Sequence, residues 1–130
     1  MTNTSKFQGR TASPGDLARI CNTASRHKSG VDGTGQSIAF VGRSNILLPD
    51  VQVFRIVFGL PTNDPQIILD GPDPGDLFGS EEADLEVEWS GAIAPNATIK
   101  FVVSASTHTT DGADLCAQHI TSPTTIARLF

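Results

Sequence analysis

The stretch Ser37–Gly59, "SIAFVGRSNILLPDVQVFRIVFG", changes its hydrophobic period part-way along. Its first six residues form a short apolar run closed by glycine, the pattern of a buried strand. Further on, Val51, Phe54 and Phe58 recur at helical spacing and Gly59 supplies a stop signal, which predicts a helix from about Pro49 to Phe58. Strand followed by helix is one α/β unit, and the alternation continues downstream. "QIILD" (66–70) reads as a second short strand and "GPDPGDLFGS" (71–80) as a Pro/Gly loop. "EEADLEVEWSG" (81–91) reads as a helix with acids in its first turn, facing the positive end of the helix dipole. "APNATIKFVVSAS" (94–106) gives a turn and a third strand, and "TTDGADLCAQHI" (109–120) a further helix. Strands alternating with helices over short connections imply an incomplete parallel sheet with helices on both faces, an α/β fold.

Upstream, "SPGDLARICN" (13–22) has the marks of a helix start: Ser13 as N-cap, Pro14 at the first helical position and Asp16 in the first turn. "GVDGTGQ" (30–36) is turn chemistry. Residues 1–10 are unpatterned, the ordered domain is expected over residues 11–120, and 121–130 form a divergent tail too short for more than a stub of strand after Pro123.

At 130 residues the chain is about one domain or part of one. It contains no apolar run long enough to cross a bilayer, and "MTNTSKFQGR" lacks the apolar core of a signal peptide, so neither membrane insertion nor self-directed secretion is expected. The net charge of −5 is unevenly placed, since nine of the fourteen acids and no Lys or Arg lie between Arg55 and Lys100. That middle third repels nucleic acid. The basic residues among the first 28 lack the aromatic interleaving of a nucleic-acid footprint and read as a solvated face. Cys21 and Cys116 fit one optional disulfide or two plain thiols equally well.

Two glycine patterns fail on their context. Counting a phosphate loop from Gly42 puts Leu47, Leu48 and Pro49 where Gly, Lys and Ser/Thr belong, and the G-x-G of "DGTG" precedes its strand. His27, His108 and His119 have no metal-ligand spacing, so no cofactor or metal is expected, and no serine has the context of a nucleophile. The acids of "SEEADLEVEWSG" (80–91) are different. Glu82 and Glu86 are one turn apart on one helix face, flanked by Leu85 and Trp89, and Asp84 and Glu88 form a second such pair. They are either a solvated face or a site. Placed in a cleft beside Trp89, Glu82 and Glu86 would share a proton and serve as a general base and its partner at acidic pH.

The ordered series "SPGDLARICNTA", "GVDGTGQSIAFVGRSNI", "FGLPTNDPQIIL", "EADLEVEWSGAIAPNATIKFVVSAS" and "TTDGADLCAQHI" resembles the N-terminal part of the catalytic domain of the sedolisin/kumamolisin serine-carboxyl peptidases, over about residues 11–120. The resemblance implies the N-terminal portion of a subtilisin-like fold and an acid endopeptidase whose triad is Ser-Glu-Asp, with Glu and Asp presented as E-x-x-x-D on one helix. Glu82 then takes the position of the base and Glu86 that of the orienting Asp, one methylene longer. The segment after the third strand, with Ser104, Ala105 and Ser106, takes the position that pairs with substrate backbone. Cys21 and His119 stand where family members commonly have Tyr, and Gly42 stands where some carry an extra carboxylate. The family's G-T-S nucleophile block, its oxyanion Asp and its calcium-binding loop are not found in these 130 residues.

The expectation is therefore a portion of a serine-carboxyl endopeptidase, inactive by itself, whose complete domain takes peptide or protein substrates, is extracellular, and here would need a complementing C-terminal half. A second reading is a non-catalytic binding module that uses an exposed sheet edge. A third is a degenerate gene product.

Overall fold

The computed structural model describes residues 12–77 and 80–125. The sheet has three strands: β1 (Ser37–Gly42), β2 (Gln66–Leu69) and β3 (Thr98–Val103). The five helices are α1 (Pro14–Ile20), α2 (Ala24–Lys28), α3 (Leu48–Val57), α4 (Ser80–Ile93) and α5 (Gly112–Ile120). All strand pairs are parallel and β3, the last in sequence, lies between the others, in the order β1-β3-β2. The expected mixed α/β architecture with a small parallel sheet is what the chain adopts.

The central strand is the most buried. Ile99, Phe101 and Val103 alternate onto one side of β3, where they pack with Ile38 and Phe40 of β1, Ile46 and Val51 around the start of α3, and Ala83 and Val87 of α4. Register explains the grouping, because Ile38 pairs with Ile99 and Phe40 with Phe101. Each large side chain so buried contributes roughly 1.5–3 kcal/mol relative to exposure. Val102 points to the opposite side and is equally buried. There α5 packs across β1 and β3 with Cys116 fully enclosed. Helices thus cover both sides of the sheet at β3, while Ile67 and Leu69 of the edge strand β2 stay partly exposed.

Local rules account for most helix ends. Ser13 and Asp16 form the capping box of α1, each side chain bonding the other residue's backbone N–H. Asp111 caps α5 by accepting the N–H of Ala113 at 2.9 Å. The short helix α2 was not foreseen from the sequence. Thr23 at its N-cap makes no capping bond, its hydroxyl donating instead to the carbonyl of Ala18 at 3.4 Å, and the helix is tied down from outside by His27, whose Nε2 donates to the carbonyl of Ile93 at 2.7 Å.

Helix α3 lies one residue earlier than the expected span, and its inner face differs from the expected one. Val51 and Arg55 are buried there, whereas Phe58 is 41% exposed. Arg55 donates from Nε to the carbonyl of Pro61 at 2.8 Å and from Nη2 to that of Pro95 at 2.9 Å. Burial lowers its pKa, and Asp64 partly offsets the effect. The guanidinium passes over Gly91 of α4, where a Cβ would sit 2.7 Å from Nη1. Phe54 instead stacks its ring against Phe58 and Trp89, with centroids 4.8 and 6.0 Å away.

Opposite the functional end, two turns are locked together. Asp32 accepts from the N–H and hydroxyl of Thr34 and from Nδ2 of Asn96, the last at 2.6 Å. Gly33 adopts φ +91° with Ala97 so close that a Cβ would lie 2.9 Å from the alanine methyl.

Candidate functional site

The strands end together, and the connections leaving them build an open acidic cleft. Beyond β1 come Arg43 and Ser44, beyond β2 comes the loop from Asp70 to Leu77, and beyond β3 comes Ser104 to Thr110. Ser44 is buried; its Oγ accepts the N–H of Leu77 at 3.0 Å and donates to the carbonyl of Asn45 at 3.3 Å. Asn45 donates from its backbone N–H to the Gly75 carbonyl and from Nδ2 to Asp73. The loops after β1 and β2 are thereby stitched into one wall. Carboxyl ends of parallel strands are where α/β sheets place ligands.

Glu82 and Glu86 of α4 both line a cleft of about 340 Å³. Its other walls are Gly42 to Ser44 and the start of α5, with Asp111 and Ala113. The i, i+4 spacing puts both carboxylates on the same side of α4, and the buried positions Ala83 and Val87 hold that side toward β1. Both glutamates are exposed to solvent. Trp89, expected to flank them, does not line this cleft and packs on Phe54 of α3. No serine hydroxyl among the described residues hydrogen-bonds to either glutamate.

Ser104, Ala105 and Ser106 occupy the next position along this edge. Ser104 is 2% exposed and donates its backbone N–H to the Gly42 carbonyl at 3.4 Å, extending the β1–β3 ladder by one residue. Ala105 donates its N–H to Pro72 at 2.9 Å, and the hydroxyl of Ser106 accepts the N–H of Gly112 at 2.9 Å. Ser104 is therefore an interior residue with its N–H occupied. Ala105 and Ser106 line a second hollow of about 450 Å³ together with Arg43, Ser44, Pro74 and Leu77. The two hollows share Arg43 and Ser44, so the glutamates and the Ala105–Ser106 segment adjoin.

Sequence reasoning did not single out Arg43, Asp111 or Ser44. Arg43 and Asp111 face each other at 3.6 Å across the cleft mouth, the one cation among three carboxylates. Asp111 carried a usable signal as the N-cap of "GADLCAQHI". Arg43 carried none, because its partner lies 68 residues away on another element. Likewise the Asp70–His119 pair, Oδ1 to Nδ1 at 2.6 Å, joins the end of β2 to the last turn of α5. Among the described residues no group of three or more His, Cys, Asp or Glu side chains is arranged to hold a metal ion.

No family model matches the chain, and no curated protein matches it. The case for a function rests on the site's own chemistry. Gly42 bears on it directly: a Cβ at this position would run into the ring of Phe101, so no carboxylate can occupy the end of β1 while that ring stays in place. The acids able to act in this cleft are Glu82, Glu86 and Asp111. Exposed carboxylates one helical turn apart repel when both are ionised.

Proposed function

We propose that these residues form the base-bearing portion of a serine-carboxyl endopeptidase of the sedolisin/kumamolisin kind, within a subtilisin-like domain that hydrolyses peptide bonds at acidic pH and outside the cell. One observation carries the reading: Glu82 and Glu86 line a single cleft at the carboxyl ends of the strands, and that cleft adjoins the Ala105–Ser106 hollow. In this reading Glu82 takes the proton of a serine hydroxyl as its oxygen bonds the substrate carbonyl, and returns it to the departing amine. Glu86 orients Glu82. Ala105 and Ser106 contact the peptide, and Ser104 supports them from the interior. The serine and the oxyanion donors are supplied by a complementing segment, which carries the calcium site of the complete domain, so the 130 residues alone hydrolyse nothing.

The test is peptide hydrolysis near pH 4 by this chain, alone and mixed with a segment that carries the G-T-S block. The chain alone is expected to be silent. The mixture is expected to cleave, to lose activity with Glu82→Gln, and to gain up to about 100-fold with Glu86→Asp, because a carboxylate misplaced by ~1 Å costs that much. Restored cleavage that survives Glu82→Gln overturns the assignment of the base. Cleavage by the chain alone, abolished by Glu82→Gln, overturns the need for a second segment.

A second reading has its own observation. Among the described residues the edge strand β2 pairs with β3 alone, and Ile67 and Leu69 are 38% and 51% exposed. An edge of this kind invites an added strand. A binding module would use it to recruit a partner, and Ile67→Pro would abolish that recruitment without touching the cleft.

A further inference from the structure

Helix α3 is apolar on two sides. Val51 faces the core, whereas Val53, Ile56 and Val57 stand at i, i+3 and i+4 on the outer side and are 57%, 78% and 67% exposed. Phe58, the C-cap, lies off this stripe and packs on Phe54. A surface helix ordinarily shows one apolar stripe, and one apolar all round is covered on both sides. The surroundings sharpen the contrast, since the only charged residue between Asp50 and Asp64 is Arg55, which is buried. No exposed charge interrupts the surface of residues 51–63. Scattered exposed apolar side chains are ordinary, but Val53, Ile56 and Val57 adjoin on one helix face.

We propose that this stripe docks on the same stripe of a second copy of the chain, with the two α3 helices antiparallel across a two-fold axis. Area supports that occupant. At these exposures the three side chains present on the order of 350 Å² per copy, the scale at which a contiguous patch marks an interaction site. Two copies would bury about 700 Å² of apolar surface, the apolar share of an interface of ~1,200 Å², the lower end of the standard range. A charge-free apolar patch is also its own complement, which two-fold pairing requires, and it offers nothing to select a charged partner. An axis level with residue 55 sets Val53 of each copy against Val57 of the other and Ile56 near its own counterpart, which leaves Asp50 at the rim. The net charge of −5 opposes association from outside the patch, so added salt strengthens the dimer.

Sedimentation velocity between ~10 and ~500 µM tests this, because a dimer obeys mass action. A dimer that grows with concentration and with salt is expected. Ile56→Glu should weaken it at least tenfold, and Val53→Lys should do the same, whereas Ile20→Glu on α1 and Ile67→Asp on β2 should leave it unchanged. Thermal melts show whether each variant is folded. A monomer at every concentration overturns the proposal, as does a dimer that Ile56→Glu and Val53→Lys both spare. A dimer broken by Ile67→Asp alone is built on the sheet edge, and the stripe is then not the interface.

Discussion

Asp84 of α4 accepts the backbone N–H of Leu47, the N-cap of α3, at 3.2 Å, so one orphan donor at the start of α3 is satisfied from a helix that follows 37 residues later in the chain. Leu47 has no side chain able to cap, and Pro49 in the first turn removes one of the orphan donors. The carboxylate is half-buried as a result. Burial raises its pKa, the bond from Leu47 acts against that rise, and the nearby charges of Asp50 and Asp76 add to it. Glu88, one turn on, is raised by burial and then by Asp84 and Asp50. Asp84 therefore joins two helices, and the pair Glu82 and Glu86 lines the cleft.

Two substitutions at Asp84 separate its acceptor from its charge. Asp84→Ala removes both and should cost about 1 kcal/mol in urea unfolding, the usual worth of a cap. Asp84→Asn keeps an acceptor and sheds a partly desolvated charge, so at pH 7 it should equal or exceed the wild type. Equal losses in the two variants would refute the capping role.

The pH dependence of stability should have two opposed limbs. Asp84 and Glu88 have raised pKa values, so they favour the folded state fully below their ordinary values of 3.8 and 4.5 and lose that contribution as pH rises through their folded pKa. Asp32 acts in the opposite sense. The hydroxyl and N–H of Thr34 and the amide of Asn96 hold its pKa down at about 2, so its contribution is present above 3.8 and lost as pH falls through about 2. Melting temperatures of the wild type, Asp84→Asn and Asp32→Asn across this range give the check. The Asp84→Asn difference should grow toward neutral pH, and the Asp32→Asn difference should vanish toward pH 2.

Gly42 pairs in register with Val103, and the ring of Phe101, two residues back along β3, fills the space a side chain at 42 would need. Gly42→Ala should cost roughly 1–3 kcal/mol by overpacking. Combined with Phe101→Leu, its cost should be less than the sum of the two single changes, because the smaller side chain makes room. Additive losses by denaturant unfolding would show that the ring does not exclude a side chain there.

The thiols should react unequally. Cys21 is exposed and Cys116 is fully buried, and the two are not bonded to each other. Burial pushes the Cys116 thiol up to about 11, with Asp70 adding to the rise. The thiolate is the reactive form. A thiol-specific chromogenic reagent should titrate one equivalent in the native protein and two in denaturant.

Elements whose signals are local were legible in the sequence. The capping box at Ser13 and Asp16, the strand at Ser37–Gly42 and the acidic helix read correctly because hydrophobic period and cap chemistry act within a few residues. The pairing of Glu82 with Glu86 was legible for the same reason, since one helical turn sets it. Only the tertiary structure decided which carboxylates face the cleft and which bridge helices. It also placed β3 between β1 and β2, buried Arg55 against the carbonyls of Pro61 and Pro95, and brought Arg43 to Asp111 and Asp70 to His119. Those partners lie 6 to 68 residues apart on different elements or the loops between them. No period or spacing encodes such contacts. They exist because the sheet stacks the chain's segments and leaves each buried polar group to find the nearest acceptor or charge.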